Sequence, residues 1–261
     1  MDNPLKKMIN KFGLPRIIIA GFFILLVIGA SAFQMNMPQF FGDILRRWGM
    51  FGILALAMVP AVQCGIGLNF GISMGIVGGL LGGIIVIQLN IAQNPSLVAI
   101  HPLFAAWVAI LVAILIGVVL ATGIGYLYGL LLNRVKGSEM TVTTYVGFSV
   151  IAFMNMVWML LPFDNGELIW PNAGKGMRNT ISLASSFSEV MNKTMAFGMG
   201  DFLFPTGLLL FFFLMCFLVW LFMRSKTGMA MTAAGANPMF AKAAGINVNK
   251  MRLIGTTIST V

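Results

Sequence analysis

Residues Arg224–Arg252, RSKTGMAMTAAGANPMFAKAAGINVNKMR, carry five basic side chains (Arg224, Lys226, Lys242, Lys250, Arg252) and no acidic one. An apolar run ends just before them near Met223, and another opens just after them at Leu253. A basic stretch framed in this way belongs on the cytoplasmic face of a membrane protein. The stretch is also patterned. Thr227–Ala236 is small and helix-compatible, and Asn237-Pro238 interrupts it, because proline disfavours helix at the residue before it. Met239–Ala244 can form a second short helix, which Gly245 stops in the left-handed conformation glycine tolerates.

The rest of the chain fits that placement. Of 261 residues, 59% are hydrophobic and 9% charged, where a soluble domain carries roughly 25% charge. Apolar runs are expected to span at Ile17–Phe33, Asp43–Gln63, Cys64–Asn90, Leu103–Leu132, Thr141–Leu161 and Pro205–Met223. The fold class that follows is an all-α polytopic membrane protein with about six complete transmembrane helices and the start of a seventh. Residues 1–261 then form one transmembrane domain. Residues 162–204 are an extracytoplasmic segment, and 224–252 a cytoplasmic loop.

Charge supports the alternation. With the N-terminus inside, the inner segments hold eleven basic residues (Lys6, Lys7, Lys11, Arg16, Arg134, Lys136 and the five above) against Asp2 and Glu139. The outer segments hold five basic and five acidic residues. The whole excess of +9 lies on one face, as the positive-inside rule requires, so the basic balance does not point to nucleic acid. The N-terminal arm, the first apolar run and Ala30-Ser31-Ala32 mimic a signal peptide, but every later span is consistent with an uncleaved anchor. Leu253–Val261 covers only about 13 Å of a roughly 30 Å core, so the chain is expected to continue as a longer protein.

Two spans carry small residues in rows. Gly67, Gly71, Gly75, Gly79 and Gly83 recur every four residues, and Ala105, Ala109, Ala113, Gly117, Ala121, Gly125 and Gly129 form a second such row. Small residues at this spacing let helices approach backbone to backbone, which makes the rows natural partners. Gly65–Asn69 is weak helix and is tolerated as unwound backbone where protein or a wet cavity surrounds it. The polar membrane positions Gln63, Asn69, Ser73, Thr144 and Asn155 are the candidate lining of a solute path. Hydrogen bonds within and between helices are the competing explanation. In the outer segment, Ser186-x-x-Glu189 can cap an amphipathic helix. His101, the only histidine, reads as a surface residue, and Cys64 and Cys216 as buried thiols without a metal or disulfide pattern.

The motif Gly235-x-Asn237-Pro238-x-x-Ala241-x-x-Ala244-Gly245-Ile246-Asn247-Val248-Asn249-Lys250 resembles the cytoplasmic coupling loop of ABC-importer permease subunits of the sugar and nucleoside (branched-chain-type) family. The glycine-rich stretch Cys64–Asn90 and the span end Gly129-Leu-Leu-Leu-Asn133 with its basic loop extend the resemblance. Asn69-Phe70-Gly71 stands where the family has Asp-Leu-Ser, so no role needing a charge carries over. The resemblance implies that Ala233, Ala234, Gly235, Asn237, Pro238, Ala241, Ala244, Gly245 and Asn249 dock on a separate ATPase subunit. That partner would bind ATP and Mg, leaving this chain without a cofactor. It further implies a second permease copy or paralogue, an extracytoplasmic solute-binding protein, and residence in a bacterial cytoplasmic membrane.

The residues themselves exclude other machinery. No Gly-x-x-x-x-Gly-Lys-[Ser/Thr] occurs, and every carboxylate falls in the arm, a loop or an interface. A proton- or sodium-coupled carrier needs an ionisable group in the membrane. An uncharged path suits a neutral polar solute such as a sugar or nucleoside. The rival is an ATP-independent transporter or channel; a membrane enzyme would need clustered nucleophile and base residues.

Overall fold

A computed structural model describes residues 13–99, 101–161, 187, 190–199 and 202–261. Six helices in it are long and apolar enough to cross a membrane. They are α1 (Leu14–Ala32), α2 (Met37–Gln63), α3 (Ser73–Gln88, entered through a 3₁₀ turn at Phe70–Ile72), α4 (Pro102–Arg134), α5 (Glu139–Leu160) and α6 (Thr206–Met223). The chain is an all-α polytopic membrane protein, with one short hairpin among the described residues.

Local chemistry sets several of the helix starts. α2 opens six residues before Asp43 because the Asn36 side chain accepts from Gln39 N–H and Pro38 sits in the first turn. His101 lies on the surface, as expected, and caps α4, its Nδ1 accepting from Leu103 N–H at 3.1 Å. After α6 come α7 (Lys226–Ala236), α8 (Pro238–Ala243) and α9 (Val248–Thr260). The helix expected from Leu253 therefore opens five residues earlier, inside the basic stretch. Asn247 starts it by accepting from Lys250 N–H at 3.0 Å.

The helices pack in the lateral order α5, α3, α4, α9, α2, α6, with α4 receiving the most extensive contacts. Its small-residue row serves two neighbours. Over Ala113–Ala121 it meets α3, and over Gly125–Gly129 it meets Leu253, Thr256 and Thr260 of α9. A four-residue step on a 3.6-residue helix advances about 40° per step, so a long row must wind from one partner to the next.

The same drift corrects the expected glycine face of α3. Gly71 and Gly75 do pack closely, against the Tyr128 hydroxyl and the Thr260 carbonyl. Further along, the face passes to Gly78 and Gly82. A Cβ on Gly78 would lie 2.9 Å from Ala121 Cβ, and one on Gly82 would lie 2.7 Å from Gly117 N. Gly79 and Gly83 have open space where a Cβ would stand, although Gly79 Cα still borders Gly117.

α1 stands apart, with Ala30 its one buried residue. Beyond α5, the expected cap at Ser186 and Glu189 and the turn-rich stretch from Pro162 lie outside the described residues. What is described there is a helical turn at Val190–Lys193 and an unanticipated antiparallel hairpin, Phe197–Met199 with Phe202–Phe204. Phe197 and Phe204 pair across it with rings stacked 5.7 Å apart.

Candidate functional site

The basic stretch folds into a small unit fixed by caps. Ser225 Oγ accepts from Gly228 N–H (3.2 Å) and starts α7. Asn237 ends that helix and starts the next, its Oδ1 accepting from Met239 and Phe240 N–H at 3.1 and 3.0 Å. The break expected at Asn237-Pro238 is this double cap. Gly245 takes φ +79°, its N–H donating to the Lys242 carbonyl and that of Ile246 to the Ala241 carbonyl. These bonds close α8 in the left-handed manner that glycine permits.

Small residues hold the unit together. Ala234, Ala241 and Val248 form its own core with Ile246 and Met251 against them. Gly235 lies on the backbone of Gln63–Gly65: a Cβ on Gly65 would come 2.9 Å from Gly235 Cα, and one on Gly235 would come 2.8 Å from Gly65 N. Ala234 and Ala241 are therefore inside, while Ala233 and Gly235 are half-buried, and Asn237, Pro238, Ala244, Gly245 and Asn249 are exposed. α8 buries only Ala241 and leaves Met239 at 77% and Phe240 at 68% exposure. Beside them, Lys242 and Gly245–Asn249 line an open crevice of about 260 Å³.

A polar brace ties α9 to the turn between α4 and α5. Asn133 Nδ2 donates to the Asn249 carbonyl (2.9 Å) and Lys136 Nζ to Asn249 Oδ1 (2.7 Å). Arg252 pairs with Glu139 Oε1, and the other oxygen of that carboxylate accepts from Gly137 N–H at 2.7 Å. The two side chains are only 12% and 13% exposed. Sequence reasoning missed this pair. Its signal was visible: Glu139 is the one acid among the basic residues between spans on that face.

The candidate path residues separate into two groups. Asn69 is fully buried: Tyr128 O–H and Gly71 N–H both donate to its Oδ1 (2.9 and 3.0 Å), and its Nδ2 donates to Ser259 Oγ (2.9 Å). Ser73 is also buried, its hydroxyl donating to the Gly147 carbonyl at 3.2 Å. For these two, the bonds between segments are what the structure displays. Gln63 and Asn155 are exposed, and Thr144 is half-buried with its hydroxyl donating back to the Met140 carbonyl at 2.9 Å. Thr144 and Asn155 lie eleven positions apart, about three helical turns, and so share a face of α5. Tyr128 and Ser259 were not legible as partners, because a tyrosine in one span and a serine 131 positions later carry no pairwise signal.

Gly65–Asn69 is non-helical, as its composition leads one to expect, with φ +78° at Gly65 and +94° at Gly67. Cys64, just past the end of α2, is buried there. Desolvation raises its thiol to about 11, despite nearby backbone groups and Arg252 that pull it down.

A comparison with known families matches residues 40–261 to the branched-chain amino acid transport system / permease component family. The match takes in α2 to α9 and begins after α1. No curated protein and no solved structure matches the chain. Six helices able to span a bilayer and a match over most of the length make this a multi-pass transport subunit. The chain belongs to the branched-chain-type permease family of ABC transporters.

Proposed function

We propose that this chain is the membrane subunit of an ATP-driven importer, and that α8 is the point at which a separate ATPase subunit holds it. One observation carries the reading. Two large apolar side chains, Met239 and Phe240, stand exposed on a basic segment outside the spans, on a helix that two hydrogen bonds to the Asn237 side chain and a left-handed glycine hold in shape. Exposed apolar groups on a rigid, polar-rimmed element fit the pattern of a protein-docking surface. In this reading the segment faces the cytoplasm of a bacterial cell, and the partner supplies ATP and Mg.

Gln63, Thr144 and Asn155 are proposed to line the solute path, with Asn69 and Ser73 shaping it from behind. These groups are uncharged, which favours a small neutral polar solute, a sugar or a nucleoside, taken from an external binding protein. A second permease copy or a paralogue completes the path.

The test is co-purification of the chain with its ATPase subunit after co-expression. Gly245→Leu forces a side chain into φ +79°, at a cost of roughly 1–2 kcal/mol, and Asn237→Leu removes both caps; each should release the ATPase. An ATPase that stays bound to both variants counts against α8 as the point of attachment, and solute uptake without any ATPase favours the ATP-independent carrier or channel instead. Thermal-shift screening of the cognate binding protein with sugars, nucleosides and branched-chain amino acids identifies the solute class.

A further inference from the structure

We infer that Asn69 is the joint through which movement of the α7–α9 unit reaches α3, its amide tying α9 to the unwound stretch Gly65–Asn69. The importer reading supplies the purpose of that movement, and the contacts alone supply its route.

The unwound stretch is held at both ends by the same unit. At its start, Gly65 rests on Gly235 of α7; at its end, Asn69 Nδ2 donates to Ser259 Oγ of α9 at 2.9 Å. Helix α9 runs unbroken from its Asn247 cap past Ser259. Those twelve residues form a stiff rod of about 18 Å, so a displacement at the exposed tip arrives at Ser259 undiminished. The receiving side is built differently. With positive φ at Gly65 and Gly67, the stretch can change direction through a few backbone torsions while the flanking helices stay intact.

Asn69 suits the junction chemically. Its Oδ1 is fully engaged by Gly71 N–H, in the turn that starts α3, and by Tyr128 O–H on α4. Its Nδ2 is then the arm that reaches the moving rod. An amide supplies both a donor and an acceptor without placing a charge at a site with no solvent exposure. Immediately beyond, the start of α3 is gripped by neighbours: Ser73 Oγ donates to the Gly147 carbonyl on α5, and Gly75 abuts the Thr260 carbonyl on α9. A tilt at Asn69 is thereby passed on to α3 as a body and not lost in its first turn.

The deciding experiment is hydrogen–deuterium exchange on the full chain in nanodiscs, as a cycle of wild type, Asn237→Ala, Ser259→Ala and the double variant. Asn237→Ala loosens the tip without touching Asn69, and the readout starts at Asn69 because Gly65 meets the unit directly through Gly235. With Ser259 present it should speed exchange across residues 69–72 about fivefold, the scale of one lost hydrogen bond. In the Ser259→Ala background the same change should have less than about a twofold effect, the non-additivity that marks coupled sites. An equal factor in both backgrounds overturns the joint. A second readout is ATP hydrolysed per solute moved by the assembled importer. Ser259→Ala should raise that ratio about fivefold with assembly intact, whereas a staple of fold alone would lower hydrolysis and transport together. Uptake by the wild type without an ATPase defeats the importer reading and leaves the exchange cycle to judge the joint. ATP-driven uptake combined with an additive cycle defeats the joint and leaves the importer reading standing.

Discussion

Helices α1 and α3 have equal mean hydropathy, yet 6% of the α1 window is buried against 39% of the window that contains α3. Apolar character therefore decides that a helix enters the bilayer and says nothing about whether it meets protein or lipid there. Residue size makes the difference. Lipid tails are as apolar as leucine, so helices associate in a membrane where backbones can come close. α3 offers Gly75, Gly78 and Gly82 to α9 and α4, with neighbouring backbone or Cβ atoms already at van der Waals distance. α1 also contains glycines, Gly21 and Gly29, but a Cβ on either meets nothing within 4 Å. Glycine is necessary for the close approach and is not sufficient for it.

The largest expected break in that comparison is Gly82→Leu. Its side chain would have to occupy the space of the Ala113 carbonyl and Gly117, and the cost should exceed roughly 4 kcal/mol, the range reserved for gross overpacking. Thermal unfolding in detergent should find no folded population for it, while Gly29→Leu on α1 stays within about 0.5 kcal/mol of wild type. A folded Gly82→Leu chain would remove the packing argument.

Polar pairs extend the contrast between buried and exposed positions. Glu139 with Arg252 is almost enclosed, whereas Asp43 with Arg46 is a 3.5 Å pair whose carboxylate is 51% exposed. Breaking an enclosed pair strands a charge, so Glu139→Gln should cost about 3 kcal/mol in chemical or thermal unfolding. Asp43→Asn should cost less than about 1 kcal/mol. Similar losses for both would show that the brace beside α9 is as wet as the one on α2.

Adjacent glycines sharpen the comparison within one helix. Gly78→Ala places a methyl group 2.9 Å from Ala121 Cβ and should destabilise by about 1–3 kcal/mol. Gly79→Ala enters open space and should be neutral or gain up to roughly 1 kcal/mol of helix propensity. The two measurements, side by side, locate the packing face to within one residue.

The smallest effect is a matter of rate. Cys64 is enclosed with its thiol raised to about 11, so it stays protonated as pH climbs through the neutral range, and its thiolate appears only near that value. At pH 8 the thiolate fraction is on the order of one in a thousand, and a maleimide should leave Cys64 unmodified in the folded chain and label it once the chain is unfolded. Fast labelling of Cys64 at pH 8 would mean that the Gln63–Gly65 contact with Gly235 opens readily.

How much of this was legible follows from the range of each signal. The spans, the Asn237-Pro238 break, the Gly245 stop and the unwound Gly65–Asn69 are local events, written in propensity and capping chemistry. The face of α3 was half legible: the row of glycines was plain, but its choice between Gly78 and Gly79 depends on accumulated helical phase and on where α4 lies. The bond from Asn69 to Ser259, 190 positions apart, and the Tyr128 arm were invisible, because nothing local distinguishes a buried polar side chain that finds a distant partner from one that lines a path. The start of α9 was misplaced for a related reason. Hydropathy rises at Leu253, but the Asn247 cap outranks it.

The central claim is that Met239 and Phe240 are where an ATPase takes hold, and the most direct measurement is recovery of that subunit with the affinity-purified chain. Wild type should retain it in stoichiometric amount, and a Met239→Asp, Phe240→Asp chain, altered only at exposed positions, should elute folded and without it. Retention by the doubly substituted chain, or no recovery with wild type, would contradict the account.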